Sequence, residues 1–332
     1  MKLYHLSKIR FKFVRIFPPR RLRSILLTFR KLAAISALPS GQKSLSKFKP
    51  YFRHMVLLKF LLALLAFCGV ERFCQKKTHG FRLHKIASEE TIYESYLPEG
   101  EEKETLQKMV NQPYRFLSSG GESYVFVSRD ARYVIKCFNH HHMRQRSLFD
   151  LFNSEWQGQR MKKRDQLFAS CRIAEERLKE ETGLIALHLA KTPGYFDRPL
   201  TILDPLNVAH TINLDQTDFA LQHKGELAMD LLKRSKDPQL LDAIIALIHR
   251  RSSKGVADLD SVFKRNLAFI DKRAIAIDLG AFAIDEGLKT PFLANRALFF
   301  ETLKLRRWLS KNAPELLPYF EERLNQNLQT QV

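Results

Sequence analysis

Residues 253–280, SKGVADLDSVFKRNLAFIDKRAIAIDLG, constrain this chain more than any other stretch. Asp260 is followed six residues later by Asn266, and Asp278-Leu279-Gly280 begins twelve residues after the Asn. Two β-rich runs, 267–270 and 274–277, flank a turn-forming Asp271-Lys272-Arg273. Oxygen donors on separate segments, with a further carboxylate free to face a hydroxyl, are what metal-assisted phosphate chemistry requires. A spacing of this kind is weak evidence until partners appear upstream.

Upstream, residues 118–126 read SSGGESYVF and lead into a β-rich run ending Tyr133-Val134-Ile135-Lys136. Gly120 and Gly121 carry no Cβ, so their backbone can approach a phosphate closely, with Ser123 beside them. Lys136 lies in an apolar strand ending Val-Ile-Lys-Cys-Phe, where a charge faces either solvent or a partner. A Glu on the helical segment that follows would supply that partner: Glu155, with Glu175 and Glu176 as alternatives if the helix is extended. His140, His141 and His142 lack ligand spacing and read as a solvated loop.

The order of elements is informative in itself. Residues 124–127 and 133–138 form a hairpin about the 128–132 turn, and 144–182 carry apolar residues at three- and four-residue steps until Gly183. Strand character returns over 198–224, and helices dominate from Glu226. Sheet with one long helical insertion, then helices, is an α+β, two-lobed pattern.

These motifs together resemble the protein-kinase-like superfamily over roughly residues 114–282. Its glycine loop, V-A-I-K lysine, helix Glu, H-R-D-x-x-x-x-N loop and D-F-G triplet find counterparts in order. The resemblance implies that Lys136 holds the phosphates and that Asp278 and Asn266 bind Mg²⁺. It also implies that Gly120, Gly121 and Ser123 cover the nucleotide, that Asp260 is the base facing the acceptor, and that Asp258 is a second candidate for that base. Residues 221–224, Gln222 among them, would be the hinge that meets adenine. The chain departs from the family pattern in Asp258-Leu259 before the catalytic Asp, one extra residue before Asn266, serines at two glycine positions, and no A-P-E. Only 52 residues follow Gly280, which implies a reduced helical C-lobe. In this the chain is similar to compact atypical bacterial kinases such as lipopolysaccharide-core kinases; residues 182–192 resemble uncharacterised proteins of chlamydia-type bacteria. ATP and Mg²⁺ are the expected cofactors, and the expected activity is phosphoryl transfer to a hydroxyl of a sugar, lipid-linked or small-molecule acceptor. The alternative is a pseudokinase acting as a membrane-tethered scaffold or secreted effector, with a protein partner.

The net charge of +20 is unevenly placed. Residues 1–54 hold 14 Lys/Arg and no Asp or Glu, leaving 41 basic and 35 acidic groups on the rest. The basic excess thus belongs to an N-terminal arm, which with its interleaved Phe, Ile and Leu suits an anionic membrane surface better than a specific nucleic acid. Residues 55–70, MVLLKFLLALLAFCGV, are short for a bilayer crossing but suit a membrane-anchor or signal-like helix, with Met1 or Met55 as the start. Membrane association through this segment is therefore expected, on either side of the membrane. The resulting division is arm 1–54, apolar helix 55–70, linker 71–112, N-lobe 113–224 and helical C-lobe 225–332. Cys68, Cys74, Cys137 and Cys171 form no metal-spaced pair.

Overall fold

A computed structural model describes residues 49–88, 93–140, 143, 154–260 and 263–329, the side chains of 49–54 and 154–157 excepted. Residues 81–143 and 159–332 make up one compact unit; residues up to 80 and 144–158 make up another. Apart from its last six residues, the basic arm lies outside the described residues.

In the latter unit, helix α1 (Lys49–Lys77) contains the apolar run. Leucine and alanine favour the helix, and Leu57, Leu58, Leu61, Leu62 and Leu65 are each at least half exposed on it. A transmembrane reading of this helix does not hold: among the described residues no helix is long and apolar enough to cross a membrane. Lys59 interrupts the run, and Glu71, Arg72, Lys76 and Lys77 fill the final turns, which keeps the apolar length below what a bilayer core needs.

The larger unit begins with α2 (Gly100–Val110), β1 (Tyr114–Ser119), β2 (Ser123–Ser128) and β3 (Tyr133–Phe138). There follow α3 (Ser154–Arg177), α4 (Lys179–Thr182), β4 (Leu184–His188), β5 (Leu200–Leu203), β6 (Ala209–Ile212) and β7 (Phe219–His223). The strands form one seven-stranded sheet in the order β4-β7-β3-β2-β1-β5-β6, antiparallel except where β5 joins β1. The β2–β3 turn is closed by Ser128, whose Oγ donates to Asp130 at 2.7 Å and accepts from the Tyr133 amide at 2.9 Å. Alternating side chains then face opposite ways. Tyr114, Phe126, Ile135 and Leu221 enter one core, whereas Phe138, Leu187 and Ala220 meet Phe168, Cys171 and Ala174 of α3 in another. Gly183, at φ +62, ends α4 in the left-handed conformation expected of a C-terminal glycine.

Residues 71–112 are not a linker throughout. Phe81, Ile86, Leu106 and Val110 are buried in the sheet's core, and Ala87 and Tyr96 bridge to Thr217 and Leu187. The polar, acid-rich composition hid four apolar anchors separated by exposed positions.

The remainder comprises β8 (Glu226–Leu227), α5 (Ala228–Ser235), α6 (Gln239–Ser253), β9 (Val256–Asp258), α7 (Phe263–Asn266), β10 (Leu267–Ile270), β11 (Arg273–Ala276), β12 (Phe282–Ile284), α8 (Pro291–Asn312) and α9 (Leu317–Gln329). Leu241, Ile244, Ile245 and Ile248 of α6 pack with Leu298, Leu305 and Phe320 in a separate helical core. The α+β order expected from the sequence is realised, with sheet-rich and helical parts inside a single compact unit.

Candidate functional site

The β10–β11 hairpin fixes the first two site residues. Leu267 pairs with Ala276, and Ile277 donates its amide to the Asn266 carbonyl at 2.8 Å. Asn266 and Asp278 therefore leave the hairpin side by side. The Asn266 side chain donates to the Asp260 carbonyl at 3.0 Å, binding the loop that carries Asp260 to the hairpin. That loop is tied again from the far side, where β9 pairs with β12 (Asp258 opposite Phe282) and Leu259 donates to Ala281 at 2.9 Å. Asp278 Oδ1 accepts from the Gly280 amide at 3.1 Å, the usual way an Asp holds a turn. Asp260, Asn266 and Asp278 are thus gathered in one place, with the Asp260 side chain exposed.

Lys136 enters from the sheet. Its strand lies between β2 and β7, opposite Val125 and Ala220, and its Nζ donates to the Ile277 carbonyl. Burial lowers its pKa and the neighbouring Asp278 opposes that shift. Neither alternative helix carboxylate reaches it: Glu175 pairs with Lys179 at 2.7 Å and Glu176 accepts from Tyr96 Oη at 3.3 Å. The Glu155 side chain lies outside the described residues. Neutral groups of α3 hold the Asp-Leu-Gly turn instead. Ser170 Oγ donates to the Leu279 carbonyl at 2.5 Å and accepts from the Phe282 amide at 2.6 Å, and Cys171 Sγ lies 3.9 Å from that carbonyl. Burial pushes the Cys171 thiol well up, so it is a neutral neighbour of Lys136.

The glycine turn closes the site from above. Gly120 donates to the Ser123 carbonyl at 2.9 Å, and a Cβ at Gly121 would meet nothing within 4 Å. Ser123 starts β2 opposite Phe138, and Asn139 donates to the Glu122 carbonyl at 2.7 Å. The Glu122 side chain reaches across to Gly280, where an added Cβ would lie 2.5 Å from its Oε2. Burial, then Asp278 and Asp260, push its carboxyl up. Sequence reading passed over Glu122; the available signal was a carboxylate within a turn otherwise built of Gly and Ser.

Two of the expected site residues are engaged by other partners. Asp258 is not a free base: it lies 3.7 Å from the buried Arg251 guanidinium and accepts from the Asp260 amide at 3.0 Å. Arg251 also grips Glu301 through both carboxylate oxygens, one at 2.6 Å, and burial pushes both acids up while Arg251 opposes it. A cavity of about 30 Å³ beside this cluster, lined by Arg251, Asp258, Asn266 and Glu301, lies beneath the catalytic-type loop rather than at Lys136. It has room for a water or two. Gln222 is likewise interior, its Nε2 donating to the Thr182 carbonyl at 2.8 Å. The next two amides, His223 and Lys224, donate to Gly183 and Arg132 at 2.8 Å each.

Hard oxygen donors from Asp278, Asn266, Asp260 and Glu122, with no imidazole or thiolate among them, match the preference of Mg²⁺. Among the described residues no three His, Cys, Asp or Glu side chains are grouped closely enough to hold an ion. A cation here would need oxygens from its ligand, which is how Mg²⁺ is ordinarily held with phosphates.

No family model matches the chain, and no curated protein does. Solved structures are similar to it at low identity. One is monomeric WbdD (18% identity, 60% of this chain, 44% of that one, TM-score 0.31), described elsewhere as a bifunctional kinase-methyltransferase. Another is Rv3197 of Mycobacterium tuberculosis with erythromycin (14%, 65% and 56%, TM-score 0.32). A third is APH(2″)-IIa with streptomycin and ATP (16%, 69% and 96%, TM-score 0.22). The chain spans less than half the length of WbdD. At such TM-scores these likenesses add no weight to the geometry above.

Proposed function

We propose that this chain is an ATP- and Mg²⁺-dependent phosphotransferase of protein-kinase-like type, acting on a hydroxyl of a sugar, lipid-linked or small-molecule acceptor. The observation that carries the reading is the meeting of Lys136 with the Ile277–Asp278 turn, beside Asn266 and Asp260. Lys136 supplies a positive charge for phosphate oxygens from a strand that cannot move without breaking the sheet. Asp278 and Asn266 would hold Mg²⁺, which on binding screens charge on the transferred phosphoryl group. Asp260, exposed at the mouth, would accept the proton of the acceptor hydroxyl. The glycine turn would cover the phosphates with Gly120 and Gly121 backbone. The domain would work at a membrane surface reached through the arm and residues 55–70.

A second reading, a pseudokinase scaffold, is favoured by one observation: Glu175 and Glu176 are engaged away from Lys136 while Glu122 lies over the turn that phosphates would approach. Mg·ATP binding followed by thermal shift, with γ-phosphate transfer measured on the same protein, separates the readings. Binding with transfer supports the enzyme, binding without transfer the scaffold. Absence of any nucleotide-induced shift overturns both nucleotide-site assignments.

A further inference from the structure

Helix α8 carries an apolar stripe that faces away from the core. Its inner side is ordinary: Ala294, Leu298, Thr302, Leu305 and Leu309 are buried. Its outer side sets Phe292 (76% exposed), Phe300 (57%), Phe299 and Leu303 at helical spacings of three, four and seven to eight residues, and the Phe299 and Phe300 rings contact edge to face. Four large apolar side chains left together on one helix surface mark a contact site rather than chance exposure.

The charges around the stripe identify the contact. Arg296, Lys304, Arg307 and Lys311 are all exposed on the same helix, and the Arg296 guanidinium lies 5.9 Å from the Phe300 ring centroid. The single carboxylate of α8, Glu301, is turned inward to Arg251. The fifth cation, Arg306, is paired with Glu321. The outward surface therefore presents aromatic and aliphatic groups with four cations and no acid from its own helix. A protein-binding helix of this amphipathic kind would need an acidic groove. An anionic bilayer offers acyl chains for the rings and headgroup phosphates for the cations at once.

We infer that the outer face of α8 is a peripheral membrane contact for an anionic lipid surface, separate from the N-terminal apolar segment. The inference does not depend on the nucleotide reading. It gives the catalytic-type loop a fixed relation to the membrane, because Arg251 joins Glu301 on the inner face of α8 to Asp258 beside that loop.

The test uses the full chain with Cys68→Ser and Cys74→Ser, the other two cysteines being buried. A polarity-sensitive fluorophore is attached at Phe300→Cys, and in a second sample at Arg129→Cys on the exposed β2–β3 turn. With vesicles of phosphatidylcholine containing phosphatidylglycerol, emission at position 300 should shift to the blue and rise several-fold more than at position 129. Pure phosphatidylcholine should give a much smaller response, and added salt should reduce the first. Equal responses at the two positions, or equal responses to the two lipids, overturn the inference. In sedimentation with the same vesicles, Phe299→Ser with Phe300→Ser should lower the bound fraction several-fold. An unchanged fraction would mean that the N-terminal segment alone holds the membrane and would overturn it as well.

Discussion

The ammonium of Lys136 donates to the carbonyl of Ile277, the residue immediately before Asp278. A strand of the sheet and the Asp-Leu-Gly turn are thereby joined by one charged hydrogen bond, although 141 residues separate them in sequence. The cation is held in partly desolvated surroundings, with Asp278 as its main opposing charge.

Lys136→Met should therefore leave the fold nearly as stable as before. Relief of the desolvation that lowers the Lys136 pKa offsets the loss of the donor to the Ile277 carbonyl, so the melting temperature should stay within about 3 °C. The Mg·ATP-induced rise in melting temperature should disappear. Retention of that rise in Lys136→Met would place the phosphate-binding charge elsewhere.

Glu122 supplies a pH dependence. Glu122 is an exposed residue of the turn, yet partial burial of its carboxyl, together with Asp278 and Asp260, raises that carboxyl in the folded chain. A raised acid stabilises the fold below its ordinary value of 4.5 and loses that contribution as pH climbs through the folded value. Glu122→Gln should raise the melting temperature by about 1–3 °C above neutral pH and leave it unchanged or lower in acid. It should also tighten Mg·ATP binding if the carboxylate repels phosphate, and weaken it if Glu122 helps to hold the cation. Melting curves across pH, with and without nucleotide, read both effects.

Ser170 satisfies two buried backbone groups at once, the Leu279 carbonyl and the Phe282 amide. Ser170→Ala leaves both unpaired and should cost about 1–3 kcal/mol in urea unfolding. Nucleotide affinity should fall with it, because the Asp278 turn loses its anchor on α3. Cys171→Ala, which removes only a distant thiol contact, should disturb nucleotide binding far less.

Asp258 and Asp260 should behave oppositely on substitution. Asp260 is exposed and its side chain is free to meet an acceptor, so Asp260→Asn should lower transfer roughly 10²- to 10⁴-fold with little change in melting temperature. Asp258 belongs to the buried Arg251–Glu301 cluster, and Asp258→Asn should act mainly through stability. Arg251→Met strands two buried carboxylates and should destabilise by about 3–5 kcal/mol. Adding Glu301→Leu should recover part of that loss.

The β2–β3 hairpin, the helical character of the segment that Gly183 closes, the β10–β11 hairpin and the α+β order were legible because each rests on local rules. The expected single helix is broken at Leu178 into α3 and α4, and its first part, 144–153, lies outside the described residues. Alternation, three- and four-residue apolar steps, turn residues and glycine caps act within a few positions. The spacing of Asp260, Asn266 and Asp278 was legible for the same reason, since one loop and one hairpin set their mutual distance. The anchors Phe81 and Ile86 were missed because two apolar residues in a polar stretch have no period, and only the sheet's core shows what buries them.

Partner choice was not legible. Glu176, Asp258 and Gln222 all looked available, but each was claimed by a neighbour from another element: Tyr96, Arg251 and Thr182 respectively. Glu175 was taken locally, by Lys179 four residues on. The sequence by itself determined which elements form and which residue types stand at the turns, because those depend on backbone propensity and period. Only the tertiary structure decided that Lys136 meets the Asp278 turn without Glu175 or Glu176, that Ser170 holds that turn, and that Glu122 covers Gly280. Those contacts depend on which buried polar groups find partners when strands, α3 and the loops pack together, and that competition has no local signature.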